Sequence, residues 1–269
     1  MAKTKGIAKT LRHGRVVSQA LFLALTLWVA IAMLRGVSGA TVERYCPFGG
    51  IETLLPWLRN TGTLCSLSTV NISMFFGVLA LTLVFRRVFC SHICPMGAVF
   101  EWTGIFGRKY MVGKWKMPSL LDRALKWVKY PLLILILFST WKVGELVFRS
   151  YDPYYVLFTA GKGHEVQPWS IALMAVVLVA AAAAPLFFCK YLCPLGACLA
   201  PLSKFGATKI RRDAEKCTNC GACEKACEWQ VPIVKGEVVR SGECSNCLDC
   251  IRACPEEGAL SLVIGRTKS

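Results

Sequence analysis

Eight of the fifteen cysteines in this 269-residue chain fall in two runs, CTNCGACEKAC and CSNCLDCIRAC. The first run supplies Cys217, Cys220, Cys223 and Cys227; the second supplies Cys244, Cys247, Cys250 and Cys254. Each reads Cys-x2-Cys-x2-Cys-x3-Cys, a thiolate spacing that ligates [4Fe–4S] clusters. The short spacers wrap a loop around one cubane corner by corner. The fourth cysteine, three residues later, lies on a short helix that points toward the other cluster. The spacing therefore assigns one cluster to Cys217, Cys220, Cys223 and Cys254, and the other to Cys244, Cys247, Cys250 and Cys227. Pro255 follows the second run as the pattern expects, whereas Glu228 holds that place after the first, with Pro232 further on. That departure loosens the first loop and removes no ligand. Cysteine quartets also bind zinc, but eight in this doubled spacing point to iron–sulfur.

Four further cysteines form a second pattern. FCSHICPMGA holds Cys90 and Cys94, and FCKYLCPLGA holds Cys189 and Cys193. The Cys-x3-Cys-Pro motifs occupy residues 90–95 and 189–194 and resemble the tail of a ferredoxin run, CIRACP. On one helix, positions i and i+4 share a face, so each motif is expected to offer two thiols on one side. If the two halves of the chain pack about a pseudo-axis, the four thiols converge on a site suited to another cluster or metal. The alternative is a set of reduced, buried cysteines that ligate nothing. Of the remainder, Cys46 and Cys65 suit a disulfide, a contact with a partner's metal, or plain packing, and Cys198 is a neighbour of the second motif.

The elements that position these residues are apolar. The chain is 55% hydrophobic, with a mean hydropathy of +0.49, too apolar for an ordinary soluble domain. Four segments stand out: Val16 to Leu34, about Cys65 to Phe85, about Trp127 to Val147, and Trp169 to Phe188. A helix needs about 20 apolar residues to cross a bilayer. Lys129 and Lys142 lie towards the ends of the third segment, where long side chains snorkel. The first segment ends near small Ser38 and Ala40, as a cleaved signal would. Its apolar run exceeds the ~7–15 residues of a signal core, so a retained helix is expected.

Charge gives the orientation. Residues 1–15 hold five Lys or Arg and no acids, and residues 86–126 hold eight basic and two acidic residues. Residues 35–64 hold three against two, and residues 142–168 three against three. The positive-inside rule places the N-terminus, the 86–126 loop and the C-terminal tail in the cytoplasm of a prokaryotic inner-membrane protein. The net charge of +16 is thus topological and does not mark nucleic-acid binding. The predicted organisation is a basic N-terminus (1–15), an all-α four-helix membrane bundle with an internal repeat (16–207), and a small cytoplasmic α+β two-cluster ferredoxin domain (208–269).

Several chemistries are disfavoured. The three histidines, His13, His92 and His164, lie outside the predicted spans, so no bis-histidine haem is expected. His92 lies between Cys90 and Cys94, where it either tunes a metal or faces the surface. No dinucleotide fingerprint or P-loop occurs, so no nicotinamide nucleotide is expected. Glu145, near the outer end of the third segment, is the one acid close to a span interior; a proton or ion pump needs more. FGRKYMVGKWK and PMGAVFEWTGIFG read as interfacial segments on lipid headgroups. YDPYYVLF reads as an aromatic belt or a partner contact, and no specific residue marks a quinone pocket.

The doubled run and the CPEEGAL ending, residues 209–265, resemble a bacterial two-cluster ferredoxin domain. The wider layout, with YCPFGGIETL in the first outer loop, resembles the membrane polyferredoxins of the NapH/NosR type. That family includes the quinol-side subunit of periplasmic nitrate reductase systems and proteins serving nitrous oxide reductase and cytochrome oxidase assembly. The resemblance implies an electron-transfer subunit, more than a stand-alone enzyme. It would work between the quinone pool or a cytoplasmic donor and partner redox subunits of a respiratory oxidoreductase. A different function class stays open: assembly of a metal cofactor, for example by reducing copper for a respiratory enzyme. A purely structural anchor would not need eight ferredoxin-type cysteines.

Overall fold

The structure, a computed structural model, describes residues 3–37, 41–58, 68–110, 117–143, 151–159 and 166–265. Cys65, Glu145, His164, Ser38 and Ala40 lie outside the described residues. The helices are α1 (Lys3–Leu34), α2 (Pro47–Leu58), α3 (Ser68–Phe85), α4 (Val88–His92), α5 (Pro95–Tyr110), α6 (Ser119–Val143), α7 (Pro153–Phe158), α8 (Pro168–Ala183), α9 (Phe187–Tyr191), α10 (Pro194–Ser203), α11 (Ala222–Ala226) and α12 (Asp249–Ala253). A 3-10 turn at Val42–Tyr45 and two strands, β1 (Thr208–Arg212) and β2 (Leu260–Ile264), complete the described elements.

Among the described residues, two helices are long and apolar enough to cross a membrane: His13–Leu34 within α1, and α6. Only 17% of each apolar window is buried inside the protein, which leaves the rest for lipid. The second and fourth predicted segments also form helices, but their apolar parts, Val70–Phe85 and Pro168–Ala183, are shorter. Trp28, Ile31, Phe76, Leu83, Ile134, Leu135, Val176 and Val179 are exposed on these four helices.

The chain forms two compact units. One gathers residues 1–21, 79–98 and 198–269. Here β1 and β2 pair antiparallel, Thr208 opposite Ile264 and Arg212 opposite Leu260, while α11 packs on α12. The unit also contains the end of α3, whose last carbonyls have no intrahelical partner. The cysteine-rich tail supplies one. Leu83 O accepts the Ala207 N–H at 3.0 Å, Val84 O the Thr208 hydroxyl at 3.2 Å, and Phe85 O the Asn246 amide at 3.1 Å. The start of α1 joins the same unit: Gln19 donates to Ser91 O at 3.0 Å, Ser18 to His92 O at 2.6 Å, and Arg15 pairs with Asp249 at 3.1 Å.

The other unit holds residues 22–78 and 99–197. Within it α6 packs against α2 and α9, and α8 against α7 and α9. Buried Asp122 ties α6 to α9: it accepts from Tyr191 at 2.6 Å and pairs with Lys126 at 2.5 Å and Lys190 at 4.0 Å. Two expectations change here. Lys129 is fully buried and does not reach outward; it lies ten residues into α6, which starts at Ser119. Tyr154, Tyr155 and Phe158 form no outward belt; α7 turns them into the core, each at most 7% exposed. Its N-cap is Asp152, whose carboxylate accepts the Tyr154 N–H at 3.0 Å.

Candidate iron–sulfur centres

The two cysteine runs fold alike. Asn219 and Gly221 in the first loop, and Asn246 and Leu248 in the second, all take left-handed backbone conformations. Such turns aim successive N–H groups inward, toward an anion held in the loop. Gly221 adopts this freely (φ 69°), whereas Leu248 adopts it at φ 62° with a side chain in place. A five-residue helix follows each loop, α11 and α12, with Gly221 and Leu248 as N-caps. The absence of Pro after Cys227 leaves this geometry unchanged: Cys227 and Cys254 are both extended C-caps, φ −80° and −70°.

The thiols group across the runs. Cys227, Cys244, Cys247 and Cys250 line one cavity, walled by Ile210, Trp229, Val231, Ile233 and Val239. Burial pushes the Cys250 thiol well up, and the adjacent Cys247, Cys244 and Cys227 sulfurs add to this. Burial also raises Cys247, with Asp249 and Cys227 contributing. In the other group, burial raises Cys254, which also feels Cys220 and Cys217. Burial likewise raises Cys223, with Cys254 among its neighbours. The first group is more open: Cys220 is exposed, and Cys217 is half-exposed. The Cys217 thiol is lowered by the Asn219 backbone and by Arg212.

A largely apolar cavity edged by four thiols, one of them from the other run, fits a cubane held by thiolates. Among the described residues no three His, Cys, Asp or Glu side chains gather tightly enough for a single metal ion. A cubane instead spreads its four sulfur ligands over separate iron corners.

The Cys-x3-Cys-Pro motifs depart from the expected geometry. Cys90 lies in α4, but the helix ends at His92 and Cys94 sits in the turn before α5. Cys189 lies in α9 and Cys193 in the turn before α10. The two thiols of a motif are therefore not one face of a continuous helix. Pro95 and Pro194 are the reason: a proline bars the preceding residue from helical backbone and opens the next helix at its first position. The turns are alike, with Cys94 N–H bonded to Phe89 O at 2.9 Å and Cys193 N–H to Phe188 O at 2.8 Å. The glycines of CPMGA and CPLGA have packing roles. A Cβ on Gly97 would sit 2.2 Å from Cys90 O, and Gly196 N–H donates to Cys193 Sγ at 3.4 Å.

The residues between the motif cysteines are anchors. Ser91 donates to Ser245 O at 3.0 Å, inside the second cysteine run. His92 is half-buried, with its Nδ1 2.8 Å from Ser91 Oγ. Burial and then Arg15 hold its ring below the usual histidine range, against a hydrogen bond with Val88 and the charge of Asp249. Lys190 and Tyr191 bind Asp122 instead. Cys198 is half-buried, and burial pushes its thiol up to about 11. Cys46 Sγ lies 4.0 Å from Asp152 Oδ2.

Sequence reading missed the arginines. Arg86 and Arg87 follow α3 directly, and both are fully buried. Arg87 stacks on Trp229, 4.7 Å to the ring centroid, and pairs with Glu243. The doublet in FRRVFC was the available signal; a cytoplasmic basic loop explained it too readily. Glu52 carried no signal. It is buried, accepts from Thr140 at 3.4 Å, and has its carboxyl raised to about 8 by burial and by Asp152.

A family described as a 4Fe-4S binding domain matches the chain twice, at residues 67–113 and 166–213, each match containing one Cys-x3-Cys-Pro motif. A second 4Fe-4S binding domain family matches residues 210–232. Among curated proteins, the chain is 28% identical to YccM of Escherichia coli (strain K12), a protein named for electron transport, over 90% of this chain and 71% of YccM. It is 32% identical to the regulatory protein NosR of Pseudomonas aeruginosa over 65% of this chain, but spans only 24% of NosR. It is 29% identical to the ferredoxin-type protein NapH of Haemophilus influenzae, over 69% of this chain and 64% of NapH. No solved structure matches. The chain belongs to the NapH/NosR-type polyferredoxin family and is a membrane-associated iron–sulfur electron-transport protein.

Proposed function

We propose that the chain is a multi-pass subunit that moves single electrons between a membrane quinone or a cytoplasmic donor and a partner respiratory oxidoreductase. The observation that carries this reading is the cavity where Cys227 joins Cys244, Cys247 and Cys250. It supports one [4Fe–4S] cluster on those four thiols and a second on Cys217, Cys220, Cys223 and Cys254. When bound, each cubane takes up and releases one electron. The chain's own residues exclude water from the second centre through Trp229, Val231, Ile233 and Val239, and leave the first near solvent, where a soluble partner reaches it. In this reading α1, α3, α6 and α8 all span the bilayer, with both termini and the cubanes in the cytoplasm. The 16-residue apolar parts of α3 and α8 then cross a locally thinned membrane or one covered by partner helices. A further centre at Cys90, Cys94, Cys189 and Cys193 remains part of the proposal.

The test is anaerobic purification followed by EPR during titration with a quinol and, separately, with reduced ferredoxin. Two cluster signals that respond to at least one donor are expected. Iron-loaded protein whose clusters respond to neither would overturn the electron-transfer reading.

A further inference from the structure

Three buried arginines meet the second cysteine loop, and two of them are neutralised there. Arg15 pairs with Asp249 at 3.1 Å, and Arg87 pairs with Glu243. Arg86 is different. It is 0% exposed, and its guanidinium donates only to main-chain carbonyls: Ser203 at 3.2 Å, Val239 at 2.8 Å, and Ser241. Among the described residues no carboxylate forms an ion pair with it. Its backbone is left-handed, φ 62°, so the chain accepts strain to turn this side chain inward. A Cβ on Gly206 would strike its stem at 2.5 Å.

A buried cation without a counter-ion is costly. Carbonyl dipoles and the negative end of α3 offset part of that cost. Val239, whose carbonyl it bonds, lines the cavity that holds Cys244, and Ser241, another partner, lies three residues before that cysteine. A cubane bound by four thiolates is anionic and becomes more so on reduction, so it supplies the missing counter-charge. Beside the first quartet, among the described residues, Arg212 donates to Asn219 at an exposed site, where water screens charge.

We propose that Arg86 is a positioning residue that raises the reduction potential of the cluster held through Cys244, by placing a fixed positive charge at the point where α3 ends. Reduction brings in one electron from the donor, makes and breaks no bond, and needs no proton, because the guanidinium stays protonated throughout. This rests on the reading of Cys227, Cys244, Cys247 and Cys250 as ligands of one cluster. It makes the end of a membrane helix part of the redox centre's electrostatics, beyond holding it in place.

The test uses the full-length, iron-loaded protein and an EPR redox titration with dithionite, the two signals being assigned with Cys217→Ser. Arg86→Met should lower the reduced-to-oxidised ratio of the Cys244 cluster at least tenfold at fixed poise, 59 mV for a one-electron couple. The other cluster should not move, and Arg86→Lys should restore most of the shift. Ser203→Asp offers a second route, because the Ser203 hydroxyl is buried without a hydrogen-bond partner and its residue already touches Arg86. A carboxylate there should lower the same midpoint with Arg86 intact, and it decides the matter if Arg86→Met fails to hold iron. Wild-type midpoints in an iron-loaded variant, or equal shifts of both clusters, would overturn the proposal. A wild-type protein without two reducible clusters would instead sink the functional reading on which it rests.

Discussion

Ser91 Oγ lies 3.0 Å from Ser245 O and donates to it, so the first Cys-x3-Cys-Pro motif is bonded to the loop between Cys244 and Cys247. One hydroxyl joins two sequence motifs 154 residues apart. Ser91→Ala should cost about 1 kcal/mol, the usual net worth of such a bond. Hydrogen exchange in residues 244–250 should accelerate by about fivefold or more, while residues 217–227 stay unchanged.

Cys227 belongs to the first run by sequence and to the second cavity by structure. Cys227→Ser should therefore damage the cluster of Cys244, Cys247 and Cys250, and Cys254→Ser the cluster of the first run. Iron content should fall from about eight per chain toward about four in each case. EPR should show opposite signals surviving in the two variants; loss of the same signal from both would contradict the crossed arrangement.

Arg87 and Glu243 form a buried pair, their side chains 1% and 13% exposed. Removing one partner of such a pair costs about 3–5 kcal/mol, because the other charge is left stranded. Glu243→Ala should thus lower the denaturant midpoint for iron release. Arg87→Met with Glu243→Gln should recover much of that loss, since the double change leaves no buried charge. The stack of Arg87 on Trp229 sets the part that is not recovered.

Gly97 sits where an added methyl group would meet Cys90 O at 2.2 Å. Gly97→Ala should destabilise the protein by about 1–3 kcal/mol through overpacking. Thermal unfolding should show the loss. Wild-type stability in this variant would contradict the close packing of α5 on α4.

Glu52 gives one pH-dependent expectation. Its folded carboxyl titrates at about 8 against an ordinary value of 4.5, raised first by burial and then by Asp152, with the Thr140 hydrogen bond opposing. The folded state thus holds a proton that the unfolded state releases. The stability this adds is complete below about pH 4.5 and is lost as pH rises through about 8. The slope between those limits is about 1.4 kcal/mol per pH unit. Glu52→Gln should flatten stability over that window, read from denaturation midpoints. An unchanged slope would assign the pH dependence to other groups.

What the sequence alone determined is the local chemistry. A Cys-x2-Cys-x2-Cys-x3-Cys run specifies its loop and its short helix within about a dozen residues, so the two ferredoxin-type loops were legible. Apolar runs likewise marked α1, α3, α6 and α8, because hydrophobicity accumulates along a helix without help from its neighbours. Proline gave a local warning that went unused: Pro95 and Pro194 end the helices that the i, i+4 reading carried through Cys94 and Cys193. What only the tertiary structure decided is where charge is buried. Arg86, Arg87, Lys129, Asp122 and Glu52 look in sequence like ordinary residues of basic loops and helix ends. Each becomes singular through partners as far as 156 residues away. The cost of burying a charge depends on what surrounds it in space, and spacing along the chain does not encode that.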